Sequence, residues 1–219
     1  MISKRNYERN VINLRETPNQ TQPAPRVEPT PEVNPTPAPA VEPAPTPESA
    51  PVEKFPEQLQ VRLNSAYPAI TSAVDDPATV RILKRLTAGR CGEFTAVNIY
   101  FYQYLILKNT YPEIAETLRE ISLVEMMHYE MLSEAVVDFG GDPTLTDGTG
   151  NVWTGRNINR EHDVREILQD NIRAEQNGIR RLELAAASVQ NVSLSQLFLR
   201  IIEDEKNHII ILNKLLETI

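Results

Sequence analysis

Two short stretches of the sequence carry the residue types and spacing of a metal site. Glu125 is followed three residues later by His128, and Glu205 by His208. That spacing places both side chains on one helix face, about one turn apart, so a carboxylate and an imidazole can reach the same ion. Each pair interrupts an apolar stripe at helical period: Leu118, Ile121, Leu132, Ala135 and Phe139 flank the first, and Leu194, Phe198, Ile201, Leu212 and Leu215 the second. Two more glutamates stand in stripes of the same kind. Glu93 leads Val97, Tyr100 and Tyr104, and Glu175 leads Ile179, Leu182 and Ala186, at matching intervals.

A carboxylate buried alone costs several kcal/mol and is normally protonated or paired. Four converging carboxylates would repel one another, and these stripes offer no Lys or Arg to neutralise them. Two divalent cations would balance four carboxylates and leave both imidazoles neutral. The competing reading is a metal-free bundle held by salt bridges. The third histidine, His162, has no glutamate three residues upstream, so the pattern belongs to two histidines only. The intervals Glu93 to Glu125 and Glu175 to Glu205 are nearly equal, as expected of a duplicated helical hairpin.

The elements that must position these residues are helices. Asp76-Pro77 is a helix start, with a capping side chain followed by proline at the first helical position. The first predicted helix runs to about Lys108, loosened at Gly89 and Gly92. After a turn at Asn109–Tyr111, a second runs from Pro112 to Phe139 and stops at Gly140-Gly141. Residues 142–159 read as a loop, a third helix runs from about Arg160 to Ser188, and Ser193-Leu-Ser-Gln196 is a capping box opening the fourth. Short connections make two antiparallel hairpins. A helix of the second helix's length spans roughly 40 Å, and a loop of ~18 residues reaches ~60 Å, so the middle loop can cross the whole bundle. Residues 57–75 are ambiguous, a short packed segment interrupted by Pro68. Cys91, the only cysteine, reads as a small core residue, and Trp153 as an anchor for the crossover loop.

Residues 1–56 are compositionally different. Thirteen of the 17 prolines fall between Pro18 and Pro56, a density that blocks both helix and sheet. This segment is expected to be a disordered, polyproline-like tether, with weak amphipathic helix character in its first 16 residues. The rest, 57–219, is expected to be the folded domain. The tail, with six Lys/Arg and seven Asp/Glu, is almost neutral, so −7 of the net −8 belongs to that domain. An acidic domain without a basic stripe argues against nucleic acid or an anionic membrane as partner. No apolar run suits a signal peptide or a membrane span, which gives a cytoplasmic expectation.

The stretches GEFTAVNIYFYQYL, EISLVEMMHYEML, DVREILQDNIRAEQNGIRRL and IIEDEKNHIIILN resemble the bacterioferritin/rubrerythrin group of ferritin-like proteins, over roughly residues 77 to 219. The resemblance implies an all-α, ferritin-like four-helix bundle, two antiparallel hairpins joined by a long crossover, with a dimetal centre. It implies that Glu125 and Glu205 are shared between the ions, that Glu93 and Glu175 are terminal ligands, and that His128 and His208 give one nitrogen each. Tyr100 matches a tyrosine that hydrogen-bonds a ligand carboxylate in relatives. Met126 matches a methionine that ligates haem between two bacterioferritin subunits; its alternative role is a flexible filler at a packed surface. Where rubrerythrins carry a second glutamate on the third helix, this chain has Gly178, and it lacks their Cys₄ module. The GGDP and WTG stretches are also similar to manganese catalase relatives.

The function so implied is oxidation of Fe(II) by O₂ or H₂O₂ at a di-iron centre, in a homo-oligomer. The alternatives are peroxide dismutation at two manganese ions, and a structural coat component that retains metal binding.

Overall fold

The computed structural model describes residues 59–219, so the expectations for the tail, residues 1–56, lie outside the described residues. Five helices follow: α1 (Pro77–Ala88), α2 (Glu93–Leu107), α3 (Pro112–Asp138), α4 (Val164–Ser188) and α5 (Val192–Leu216). The first expected helix is therefore two. Asp76 opens α1, its carboxylate accepting from the Ala78 N–H and from the Thr79 hydroxyl. The helix stops at Gly89, and Gly92 N donates to Gly89 O at 2.9 Å to close a tight turn. A Cβ at Gly92 would collide with the carbonyl oxygens of Leu86 and Thr87, so this turn demands glycine. Its consequence is that Glu93 becomes the first residue of α2, beside a helix N-terminus whose partial positive charge favours a carboxylate.

Two further boundaries differ from expectation. The third long helix begins at Val164, capped by Asp163 through the Glu166 N–H, rather than at Arg160. The last begins at Val192, and its cap is Asn191, which accepts from Leu194 N at 2.9 Å. Ser193 instead turns its hydroxyl to Asn191 and to the Thr71 N–H. An asparagine in the right backbone conformation caps as well as serine does, so the capping-box pattern lay two residues inside the helix.

The helices pair as α2 with α3 and α4 with α5. Their apolar stripes form two clusters. One holds Leu86, Leu132, Ala135, Phe139, Leu194, Phe198 and Ile201. The other holds Leu107, Leu118, Ile121, Ile167, Leu168, Leu212 and Leu215. Along α3 and along α5 alike, Glu-x-x-His falls between these clusters, so the polar layer has an apolar layer on either side.

The crossover from α3 to α4 is irregular, with one short 3₁₀ turn at Gly155–Asn157. Trp153 pins it: the indole N–H donates to Thr95 Oγ1 at 2.9 Å, and the ring packs edge-on against Phe94. Residues 59–76 form no helix. They lie antiparallel along α5: Asn207 donates to Gln60 O, Arg200 to Leu63 O and Ser65 O, and Ser193 Oγ accepts from Thr71 N. Pro68 and the pairs Asn64-Ser65 and Thr71-Ser72 disfavour a helix there, and the side chains of α5 satisfy backbone groups of the segment.

Candidate metal centre

α2, α3, α4 and α5 bring Glu93, Glu125, His128, Glu175, Glu205 and His208 together, none more than 8 % exposed. They form two overlapping groups of four. Glu93, Glu125, His128 and Glu205 offer donor atoms within 4.8 Å of one another, and so do Glu125, Glu175, Glu205 and His208. Glu125 and Glu205 belong to both. His128 Nδ1 stands 3.3 Å from Glu205 Oε1, and His208 Nδ1 3.1 Å from Glu125 Oε1.

Glu125 Oε1, Glu205 Oε2 and the Nδ1 atoms of both histidines are buried without a hydrogen-bond partner. Buried polar atoms are rarely left so; four of them facing one another fit bound cations. No Lys or Arg among the described residues pairs with any of the four glutamates. The charge therefore has to be balanced by protons or by metal. In the protein alone, burial and the repulsion of Glu125 and Glu205 push Glu93 and Glu175 well above the usual carboxylate range. Burial also opposes charge on Glu125 and Glu205, but their contacts with the two imidazoles outweigh it and hold them low. Against burial, the same carboxylates lift His208 to about 9. Four carboxylates and two imidazoles in two overlapping groups are a donor set of the kind that suits two divalent ions.

Tyr100, fully enclosed, donates its hydroxyl to Glu175 Oε1. Behind it Gln103 and Asn171 exchange two amide hydrogen bonds of 3.0 and 2.8 Å. A cavity of about 180 Å³ reaches the carboxylates between α2 and α4, with Ala96, Ala174 and Gly178 on its wall. At its mouth Arg181 donates to the Cys91 carbonyl. Cys91 itself is exposed, not a core residue, because the Gly89–Gly92 turn swings it outward from the helical path. Met126 stays outside the cluster, 42 % exposed on α3.

The ferritin-like domain family matches residues 83–219, well over half of the chain. The chain belongs to that family. A bacterioferritin from Desulfovibrio desulfuricans is 28 % identical over 130 residues, covering 59 % of this chain and 70 % of its own. The structure of the Desulfovibrio desulfuricans bacterioferritin, solved with its diiron site in different catalytic states, aligns at a TM-score of 0.54 and 26 % identity, covering 64 % of this chain and 78 % of that one. A manganese catalase from Anabaena aligns at 0.64 with 21 % identity, covering 72 % and 79 %, a likeness of fold.

In this ferritin-like chain, sequence reasoning missed the group behind His128. Asp204 Oδ2 is 3.3 Å from His128 Nε2, accepts from Tyr67 Oη at 2.6 Å, and receives Arg200 Nη1 at 2.8 Å. Leu63 N donates to its other oxygen at 2.9 Å, and the Arg200 guanidinium lies 4.3 Å over the Tyr67 ring. Burial works against the Asp204 charge, but these four donors hold its carboxyl well below the usual range. The available signal was Arg200 and Asp204 four apart on α5, a spacing that pairs side chains. Tyr67 lay in a stretch with no period to read.

No helix among the described residues is long and apolar enough to cross a membrane.

Proposed function

We propose that this protein is a dimetal-carboxylate oxidoreductase of the bacterioferritin/rubrerythrin kind, binding two iron ions and reacting with O₂ or H₂O₂. The observation that carries this reading is the pair of overlapping donor sets sharing Glu125 and Glu205, each with one inward imidazole nitrogen. The 28 % identity to a bacterioferritin supports it. Glu125 and Glu205 would be shared by both ions, Glu93 and Glu175 would each serve one, and His128 and His208 would each give Nδ1. When bound, an iron pair supplies two electrons to dioxygen or peroxide by passing between Fe(II) and Fe(III).

The chain's own contribution is positioning and exclusion. Four carboxylates set the charge of the site, and Tyr100 fixes Glu175. The apolar clusters above and below keep bulk water from the donor atoms, and the cavity between α2 and α4 admits a molecule of two or a few atoms. Phe101, Leu105, Leu123 and Met126 are exposed apolar side chains on α2 and α3, which suits burial against a second copy of the chain.

The carboxylate and imidazole donors suit manganese as well, so the second reading is peroxide dismutation at a manganese pair. Metal analysis of protein from cells supplied with both metals tests the two. About two iron ions per chain and consumption of Fe(II) with O₂ or H₂O₂ support the first. About two manganese ions, with O₂ released from peroxide and no added Fe(II), support the second. No metal uptake on reconstitution overturns both.

A further inference from the structure

Glu-x-x-His occurs once on α3 and once on α5, but the residues before the two glutamates differ. On α5 it is Asp204; on α3 it is Val124, a buried apolar side chain. The histidines are accordingly held in different ways. His128 Nε2 faces the Asp204 carboxylate at 3.3 Å and the Tyr67 hydroxyl at 3.4 Å, which sets its ring so that Nδ1 points at Glu125 and Glu205. His208 is equally buried, yet its Nε2 has no hydrogen-bond partner. Behind that ring, on its Nε2 side, no polar group fixes its plane or its tautomer as Asp204 and Tyr67 do for His128.

A carboxylate behind an imidazole orients it and strengthens the nitrogen that faces the metal. The support at Glu175 is of another kind: the Tyr100 hydroxyl donates to the carboxylate and fixes its orientation, and it leaves the His208 imidazole without a partner at Nε2. At Glu93 the positive end of α2 stands beside the carboxylate and favours its ionised form.

Resting on the dimetal reading above, we infer that the two metal positions are unequal. The ion held by Glu93, Glu125, His128 and Glu205 binds tightly, because Asp204, Tyr67 and Arg200 lock His128 from behind. The ion held by Glu125, Glu175, Glu205 and His208 is the exchangeable one. Asp204 and Tyr67 are positioning residues, and two of the groups that fix Asp204, the Tyr67 hydroxyl and the Leu63 N–H, come from the segment lying along α5. That segment thereby ties metal retention to the chain that leads into the bundle.

The test is an anaerobic titration of the metal-free full-length protein with Co(II), followed by visible absorption and calorimetry. Two steps of one equivalent each are expected, at least tenfold apart in affinity. Glu175→Gln should remove the weaker step and leave the tighter one. Asp204→Asn should weaken the tighter step about 10–100-fold. Tyr67→Phe, which removes only a hydroxyl, should weaken it less but in the same direction; it gives the answer if Asp204→Asn does not fold. Val124→Asp should strengthen the weaker step by supplying His208 Nε2 with a partner. Two equivalents of equal affinity in the unaltered protein, or Asp204→Asn and Tyr67→Phe weakening both steps alike, would overturn the inference and leave the dimetal reading intact. No uptake of Co(II) at all would overturn the dimetal reading itself.

Discussion

The hydroxyl of Tyr100 on α2 donates to Oε1 of Glu175 on α4, joining the two helical hairpins at the carboxylate–imidazole cluster. Both residues are buried, and both line the cavity between α2 and α4. Tyr100→Phe keeps the ring in its apolar surroundings and deletes only the donor. The expected result is a 10–100-fold loss of affinity at the position Glu175 serves, with a stability change of about 1–3 kcal/mol from the unmatched oxygen. Calorimetric metal titration and chemical denaturation measure the two effects separately. Unchanged affinity would mean that the contact only packs the core.

Glu125 has one oxygen toward His128 and the other toward His208 and belongs to both donor groups. Glu125→Ala should therefore cost both ions, whereas loss of a terminal glutamate should cost one. Helix content by circular dichroism should be unchanged, because α3 keeps its apolar stripe and alanine favours a helix. Oxidation of Fe(II) by O₂ should fall to the uncatalysed rate. Undiminished turnover in this variant would disprove the assignment of the site.

The pH dependence has opposite signs with and without metal. His208 rises from an ordinary 6.5 to about 9 in the folded protein. Its contribution to stability is thus complete below about 6.5 and lost as pH rises through 9. Glu93 and Glu175 are also raised and act in the same sense, while Glu125 and Glu205, held low, are already ionised across this window. Metal binding needs ionised carboxylates and neutral imidazoles, so it displaces protons and tightens as pH rises. Chelator-treated protein should melt at a lower temperature at pH 9 than at pH 6.5, and the stabilisation added by metal should grow over the same interval. A chelator-treated protein that becomes more stable toward pH 9 would show that the cluster is not charged in this way.

The reach of sequence reasoning differs between elements for a physical reason. The gathering of these four glutamates and two histidines was legible because a polar residue inside an apolar stripe has a cost that only its partners can offset, and helical period fixes which residues share a face. Tyr100 followed from the same period. Asp204 and Tyr67 were not legible. Asp204 sits next to Glu205 in sequence, and its burial depends on the chain segment at Leu63–Tyr67, which has no period of its own. The turn at Gly89–Gly92 looked like a loosening, because two glycines say that a helix can break and not that it must. What decides it is the approach of the Leu86 carbonyl to Gly92, a tertiary fact. Cys91 then went from an expected core position to an exposed one.

Gly178 tests the route to the site. It lies on α4 in the cavity wall, and a Cβ there would meet only Arg181 Nη2, at 3.9 Å. Neither backbone conformation nor crowding demands glycine at this position, and glycine inside a helix costs about 1 kcal/mol relative to alanine. Gly178→Ala should accordingly raise stability by up to about that amount and leave turnover close to unchanged. Gly178→Leu places a branched side chain in the 180 Å³ cavity and should slow reaction with H₂O₂ and O₂ by tenfold or more, a barrier of about 1.4 kcal/mol. Both variants should still hold two ions per chain, because neither touches a ligand. Metal analysis with stopped-flow oxidation separates blocked entry from a damaged site. Full turnover in Gly178→Leu with two ions bound would place the entrance elsewhere on the bundle.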